Sequence, residues 1–206
     1  MSRYTGPRVK KMRALGVDLP GLSRKSVERR PFPPGDHGAK RRNRKSDFGL
    51  QLAEKQKLRL NYGVSERQLR RLVVESQASK DPAGDKLIQL LERRLDNVVF
   101  RAGFAPTIPA ARQLVNHRHF TVNGQRVNIP SIRVSVGDVI EVRESSKKVQ
   151  VIVDSLAAGG SLRSPDWVEV EGDAMKVKVS ALPEGAETAP FELDIQQVIE
   201  FYSRRL

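Results

Sequence analysis

The stretch that most constrains the fold runs from Glu92 to Val142, ERRLDNVVFRAGFAPTIPAARQLVNHRHFTVNGQRVNIPSIRVSVGDVIEV. Just upstream, Asp85 is placed to cap a helix. Leu87, Leu90, Leu91, Leu95, Val98, Val99 and Ala102 recur at helical spacing, which predicts one helix with a buried face. Gly103 suits the left-handed position that ends it. Thr107 can cap a second helix, with Pro109 tolerated in a first turn whose N–H groups have no intrahelical partner. Ala110, Ala111, Leu114 and Val115 supply its apolar side, which leaves Arg112, Gln113, Asn116 and His117 outside it. Phe120 and Val122 alternate up to Asn123-Gly124, a pair that accepts the positive φ of a type I′ turn. Val127 and Ile129 lead away, and Gly137-Asp138 turns the chain into Val139–Val142. Two helices, a hairpin and a further strand make the expected class α+β.

Charge narrows the partner. The 206 residues allow one large or two small domains, and the formal net charge of +13 points to a polyanion. A basic balance alone does not separate nucleic acid from an anionic membrane. No run reaches the roughly 20 apolar residues of a membrane span, and no apolar core follows the basic stretch Arg3 to Arg13 as in a signal peptide. A membrane-surface role also lacks a strongly amphipathic basic helix with an aromatic apolar face. Cysteine is absent, which removes disulfides, thiolate chemistry and cysteine-based zinc sites together. Residues 1–60 hold 17 Lys/Arg against 5 Asp/Glu, whereas residues 154–200 hold 3 against 10. The anion-binding surface is therefore expected on the N-terminal half and on residues 85–153.

Residues 1–45 read as a basic arm rich in Pro, Gly, Lys and Arg, with a short helix from Arg8 to Leu15 stopped at Gly16 and extended loop elsewhere. Such a segment buries too little apolar surface to fold alone, so it is expected to order on its partner. Tyr4 and Phe32 sit among its charges, where stacking on unpaired bases is open to them. Ser46 or Asp47 caps a helix to about Tyr62, and Ser65 opens another with capping-box spacing to Gln68. Each has one apolar and one basic face. Residues 46–84 are expected to form a helical domain, completed by residues 192–206. There Ile195, Val198, Ile199 and Tyr202 share a face that docks on the helices of residues 46–76. Val149, Val151 and Val153 admit either a strand or a helix start. Residues 154–191 form an acidic loop and strand segment packing on the others, with half-exposed strands at Asp166–Val170 and Met175–Val179 and Trp167 as partly buried core.

Catalytic patterns are missing. There is no GxxxxGK[ST], HExxH or GxSxG, and Gly35-Asp36-His37-Gly38-Ala39-Lys40 has the wrong spacing for a phosphate loop. His117 and His119, two residues apart, share no helix face and lack nearby carboxylates on a strand, so no metal is expected. Asp96 has Arg93 or Arg101 as a plain charge partner, and Arg93 alone has the i−3 spacing that shares its helix face. An RNA-modifying enzyme carrying this domain as its targeting module would need a catalytic domain. The remaining arm, two-helix unit and acidic tail do not supply one. The chain is not expected to be an enzyme or to hold a cofactor.

The wording RLDNVVFRAGF, ARQLVNHRHFTVNG and VNIPS resembles the helix–helix–hairpin RNA-binding domain, with its αL motif, named after small-subunit ribosomal protein four. Arg94, Asp96, Asn97, Arg101, Arg112, Gln113, His117 and Asn123-Gly124 all fall on that pattern. That domain also occurs in pseudouridine synthases, an aminoacyl-tRNA synthetase and a heat-shock RNA binder. Beyond it, SRYTGPRVKKMRALG, PPGDHG, SDFGLQLAEKQKLRLNYGVSERQLRR, WVEVE and IEFYSRR resemble the bacterial and plastid ribosomal family in family order, over nearly the whole chain. The missing cysteines match the branch without the N-terminal zinc knuckle. Residues 155–165 match poorly. Asp36 stands where the family usually has Gln, and its carboxylate would repel a nearby phosphate.

The resemblance implies a primary binder of small-subunit ribosomal RNA, docking on a multi-helix junction of the 5′ domain and nucleating assembly. It also implies contact with the neighbouring protein five near the side where mRNA enters, and an influence on decoding accuracy. Some members repress their own operon. No homo-oligomer and no membrane are implied, and the place of action is the cytoplasmic ribosome or the plastid stroma. The expected RNA contacts are Arg3, Arg8, Lys10, Lys11 and Arg13, then Lys40, Arg41, Arg42, Arg44 and Lys45 in the arm. Lys55, Lys57, Arg59, Arg67, Arg70 and Arg71 follow on the two helices, and Arg94, Asn97, Arg112, Gln113, Asn116, His117, Arg118 and Arg126 in the domain after them. Asn123-Gly124 is expected to be structural. Phosphate and 2′-OH contacts should dominate, because duplex RNA shows side chains little base information.

Overall fold

The computed structural model describes residues 4–39, 46–159 and 162–203. It divides into two units, residues 1–87 with 189–206, and residues 88–188. Six expected RNA contacts, Arg3, Lys40, Arg41, Arg42, Arg44 and Lys45, lie outside the described residues.

In the first unit, α1 spans Arg8–Leu15 and ends at Gly16, whose φ of 76° is the left-handed cap that glycine adopts without strain. The described part of the arm is not loose loop. Met12, Leu19 and Leu22 are buried together, with Leu15, Val17, Val27, Leu60 and Phe191 packed against them. Asp18 accepts from the Ser26 hydroxyl at 2.6 Å and the Val27 N–H at 2.8 Å. Asn61 Oδ1 accepts from the buried Gly21 N–H at 2.9 Å. Three apolar side chains cannot make a core alone, but Leu60 and Phe191 supply the opposite wall.

The helix α2 (Asp47–Asn61) is capped by Ser46 Oγ, and α3 (Glu66–Gln77) carries the full reciprocal capping box between Ser65 and Gln68. The closing helix α8 (Ile195–Ser203) packs on both. Val198 and Tyr202 are buried as expected, but the third buried position is Phe201, stacked on Phe48 with ring centroids 5.9 Å apart.

The second unit shows where periodicity misleads. The single helix expected from Asp85 to Ala102 is two, α4 (Ala83–Glu92) and α5 (Leu95–Arg101), and Asp85 lies in the first turn instead of capping. Arg94 is extended (φ −69°, ψ 136°) and bridges to Arg133. The break frees N–H groups at the start of α5, and a later loop satisfies them. Leu95 donates to the Ile132 carbonyl at 2.8 Å and Asp96 to that of Pro130 at 3.0 Å, while Val134 donates back to Arg93 at 2.9 Å. Leu91 and Leu95 are both fully buried across the break, so the apolar spacing runs through it unmarked.

Thr107 caps α6 (Ile108–Asn116), with Pro in its first turn. Strands β1 (Phe120–Val122) and β2 (Gln125–Arg126) form the hairpin, with Asn123 and Gly124 at φ 50° and 77°. After β3 (Val139–Val142) the valine alternation resolves as a helix, α7 (Gln150–Ala157). The acidic segment does more than pack on what precedes it. Its strands β4 (Val168–Glu171) and β5 (Lys176–Val179) extend the same antiparallel sheet, in the order β2-β1-β3-β5-β4. The second unit therefore continues past residue 153 to Thr188. Trp167 is buried, and Phe100, Phe104 and Phe120 fill the core beneath the hairpin.

Candidate nucleic-acid interface

Each unit sorts its cations into an internal and a presented set. On the arm, Lys10 and Lys11 are exposed, as are Arg24, Lys25, Arg29 and Arg30, four residues the sequence reading passed over. Arg8 and Arg13 are half-buried and hold the arm's own shape. Arg8 donates to the Leu22 carbonyl, and Arg13 donates to the carbonyls of Arg30, Phe32 and Pro33 and covers the Phe32 ring at 5.2 Å. On α3, Arg67, Arg70 and Arg71 are exposed opposite the buried Leu69, Leu72 and Val73.

Lys55, also among the expected contacts, is buried instead. Its ammonium lies 3.2 Å from Glu66 and 4.3 Å from the centre of the Phe201 ring. Lys57 is paired with Glu54 at 2.6 Å and donates to the Glu192 carbonyl. Arg59 is half-exposed, 3.9 Å from Glu66. Lys55 turns inward onto Glu66 and the Phe201 ring of α8, and Lys57 onto Glu54 and the Glu192 carbonyl just before α8.

Glu66 is the hub of this unit. Burial pushes its pKa up, but hydrogen bonds from Tyr202 (2.7 Å) and Lys55 and the charges of Lys55 and Arg59 outweigh it and leave the carboxyl below its ordinary value. Burial and the same hydrogen bond push the Tyr202 phenol well up. A carboxyl with a lowered folded pKa stabilises the fold fully above the unfolded value of about 4.3. That contribution is lost as pH falls through the folded value. Glu66→Gln is expected to lose roughly 1 kcal/mol at pH 7, a modest figure because the side chain is half-exposed and screened. The deficit should shrink at pH 3, which denaturant unfolding at the two pH values checks.

In the second unit the internal network is centred on Asp96, which is fully buried. Its Oδ1 accepts from Arg94 Nε at 3.1 Å. Its Oδ2 accepts from Arg94 Nη2 at 2.9 Å and from Arg112 Nε and Nη2 at 3.0 and 2.6 Å. The carboxylate's partners are thus Arg94 and Arg112, not Arg93 or Arg101 as expected. The extended backbone at residue 94 turns that guanidinium back onto it. Glu92, also fully buried, accepts from Asn97 Nδ2 at 2.9 Å and pairs with Arg101 Nε at 3.4 Å. Arg101 donates further to the Thr188 carbonyl. Of the expected contacts, Arg94 and Asn97 are buried against these carboxylates, and Arg112 is engaged there too, mostly buried.

The presented set of this unit lies at the end of α6 and on the hairpin. Gln113, Asn116, His117, Arg118 and Arg126 are all exposed, as expected. Arg118 adopts φ 62°, and its carbonyl accepts from Arg143 at 3.0 Å, which adds a cation the sequence reading did not select. His119 shares a hydrogen bond with Ser146 Oγ at 3.0 Å. Burial, then the charges of His117 and Arg143, hold its pKa below the ordinary imidazole value. Asn123 is structural as expected, donating to Asp138 and accepting from the Val139 N–H. Among the described residues no three His, Asp or Glu side chains form a metal site, and no helix is long and apolar enough to cross a membrane.

Comparison with known proteins covers the whole chain. A family model described as the ribosomal protein S4/S9 N-terminal domain matches residues 3–92, and one described as the S4 domain matches residues 93–140. The chain is similar to small ribosomal subunit protein uS4 of Methylobacillus flagellatus, 61% identical with all of both chains covered. It is 58% identical to protein uS4B of Nitrosomonas europaea, again over all of both chains. With uS4 of Brevibacillus brevis it shares 48%, over 99% of this chain and all of the relative.

Proposed function

Since the chain belongs to the bacterial uS4 family of small ribosomal subunit proteins, whose members are structural proteins and not enzymes, we propose that it is a ribosomal component acting by binding small-subunit RNA. Its place of action is then the bacterial cytoplasmic ribosome; the plastid alternative gains no support from these bacterial relatives. The observation that carries the binding mode is the sorting of cations. Buried Asp96, buried Glu92 and Glu66 engage one set, while Lys10, Lys11, Arg24, Lys25, Arg29, Arg30, Arg67, Arg70 and Arg71 face outward from the first unit. Gln113, Asn116, His117, Arg118 and Arg126 do so from the second.

The mechanism is structural. Exposed Arg and Lys replace the counterions condensed on crowded phosphates, with forked contacts from Arg and point-charge contacts from Lys. Amide and imidazole groups at the end of α6 suit 2′-OH and phosphate oxygens across a shallow groove. Specificity comes from shape, two cationic surfaces matched to one RNA junction. The resemblance supports a junction of the 5′ domain as that target, with early docking that nucleates assembly, a later influence on decoding accuracy, and contacts to protein five and to mRNA where it enters. Some members of the family also repress their own operon, an activity that depends on a structure in the mRNA. Arg3, Lys40, Arg41, Arg42, Arg44 and Lys45, which lie outside the described residues, belong to this proposal on sequence grounds.

Filter binding across a salt series tests it, with 5′-domain small-subunit RNA beside an unrelated structured RNA of equal length. Preference for the 5′-domain RNA that survives high salt is the expected result. Equal affinities that collapse together as salt rises would leave only a generic polyanion binder.

A further inference from the structure

We propose that Asp96 is a positioning residue for RNA recognition, so that deleting its negative charge weakens RNA binding. The inference rests on the RNA-binding reading above. Simple electrostatics gives the opposite sign. On a chain of net charge +13, removing one carboxylate raises the charge and should strengthen binding to a polyanion.

Asp96 differs from a surface acid in what it holds. It is inaccessible to solvent, so its charge acts on its neighbours before it acts on a distant phosphate. Its carboxylate takes four N–H donors from two guanidinium groups, one on the extended connector (Arg94) and one on α6 (Arg112). Its backbone N–H holds the Pro130 carbonyl. One residue therefore fixes α5 to the connector, to α6 and to the loop that follows the hairpin.

The presented groups hang from those same pieces. Asn116 lies one helical turn beyond Arg112 on α6, and His117 and Arg118 follow directly. Arg126 is on the hairpin, and Arg133 is on the loop pinned at Pro130, Ile132 and Val134. RNA read by shape demands fixed separations between such groups. Neutralising Asp96 leaves two guanidinium forks without their shared anion and frees α6 to turn against α5. The cations remain, but their spacing does not.

The test uses the full chain and the 5′-domain RNA, measuring affinity and salt slope for wild type, Asp96→Asn and Arg112→Gln, each checked for folding by circular dichroism. Expected is at least a tenfold loss for folded Asp96→Asn with the salt slope unchanged, because no phosphate contact is removed. A folded Asp96→Asn that binds as tightly as wild type, or more tightly, overturns the proposal. Where Asp96→Asn does not fold, Arg112→Gln decides, since Arg112 is the more exposed partner. Weaker binding at unchanged slope supports positioning. Unchanged affinity, or a slope lower by about one, which marks a lost phosphate contact, overturns it. Failure of wild type itself to prefer this RNA would instead sink the reading on which the inference rests.

Discussion

Glutamine at Lys10, Lys11, Arg24, Lys25, Arg29 and Arg30 together is expected to weaken binding to 5′-domain RNA by at least about a hundredfold near physiological salt, and to flatten the salt dependence by up to about five units of slope. All six side chains are exposed, so neutralising them leaves the buried Met12, Leu19 and Leu22 in place. Arg13 is kept, because its three carbonyl contacts shape the loop that follows α1. Truncation of residues 1–45 should weaken binding and flatten the slope as well, but it is the less informative experiment. It also strips the apolar cover from Leu60 and Phe191 and leaves Asn61 without the Gly21 N–H. Filter binding between about 50 and 200 mM salt, the range over which phosphate contacts separate most clearly, checks the sixfold variant. An unchanged slope would show that the arm does not clamp phosphates.

The second large effect is on stability. Glu92→Ala is expected to destabilise the second unit by about 3 kcal/mol, near the lower end of the cost of breaking a buried ion pair. The carboxylate is fully buried and pairs with Arg101, itself only slightly exposed. Removing it strands a guanidinium in the core and takes an acceptor from Asn97 Nδ2, whose remaining acceptor is the Glu92 carbonyl oxygen. The double variant Glu92→Leu with Arg101→Met should recover much of the loss, because a buried pair is often replaced by apolar side chains at little net cost. Guanidinium unfolding of the three proteins checks this. A double variant less stable than Glu92→Ala would show that the pair itself, and not the stranded charge, holds the junction together.

The difference between these two experiments mirrors what each basic residue does, and sequence alone separated the two kinds poorly. Arg94 and Arg118 are the same letter, and neither composition nor spacing tells them apart. One is buried on Asp96 and the other faces solvent with its backbone at φ 62°. Arg24, Lys25, Arg29 and Arg30 were passed over because no periodicity marks them, yet they are exposed for that reason: nothing apolar beside them draws them inward. Lys55 and Lys57 sit on a helix whose other face is apolar, which suggests a solvated stripe. The segment from Glu192 to Phe201, more than a hundred residues later, brings a carbonyl to Lys57 and an aromatic ring to Lys55.

Sequence by itself determined the elements whose signals are local. The Ser65–Gln68 capping box, the Thr107 cap, the Gly16 stop and the Asn123-Gly124 turn all act within a few residues, and all appear where the residues demand. It also determined the family, through motifs spread over nearly the whole chain. Tertiary structure alone decided the rest. The break at Arg94 is invisible in the apolar spacing because both sides face one core, and it is stable because carbonyls of Pro130 and Ile132 meet the N–H groups it frees. The partners of Asp96, the placement of β5 beside β3 and the cover over Met12 likewise depend on residues distant in sequence. Spacing along the chain carries no record of such meetings, since a buried charge or an edge strand is satisfied by whichever group the fold brings to it.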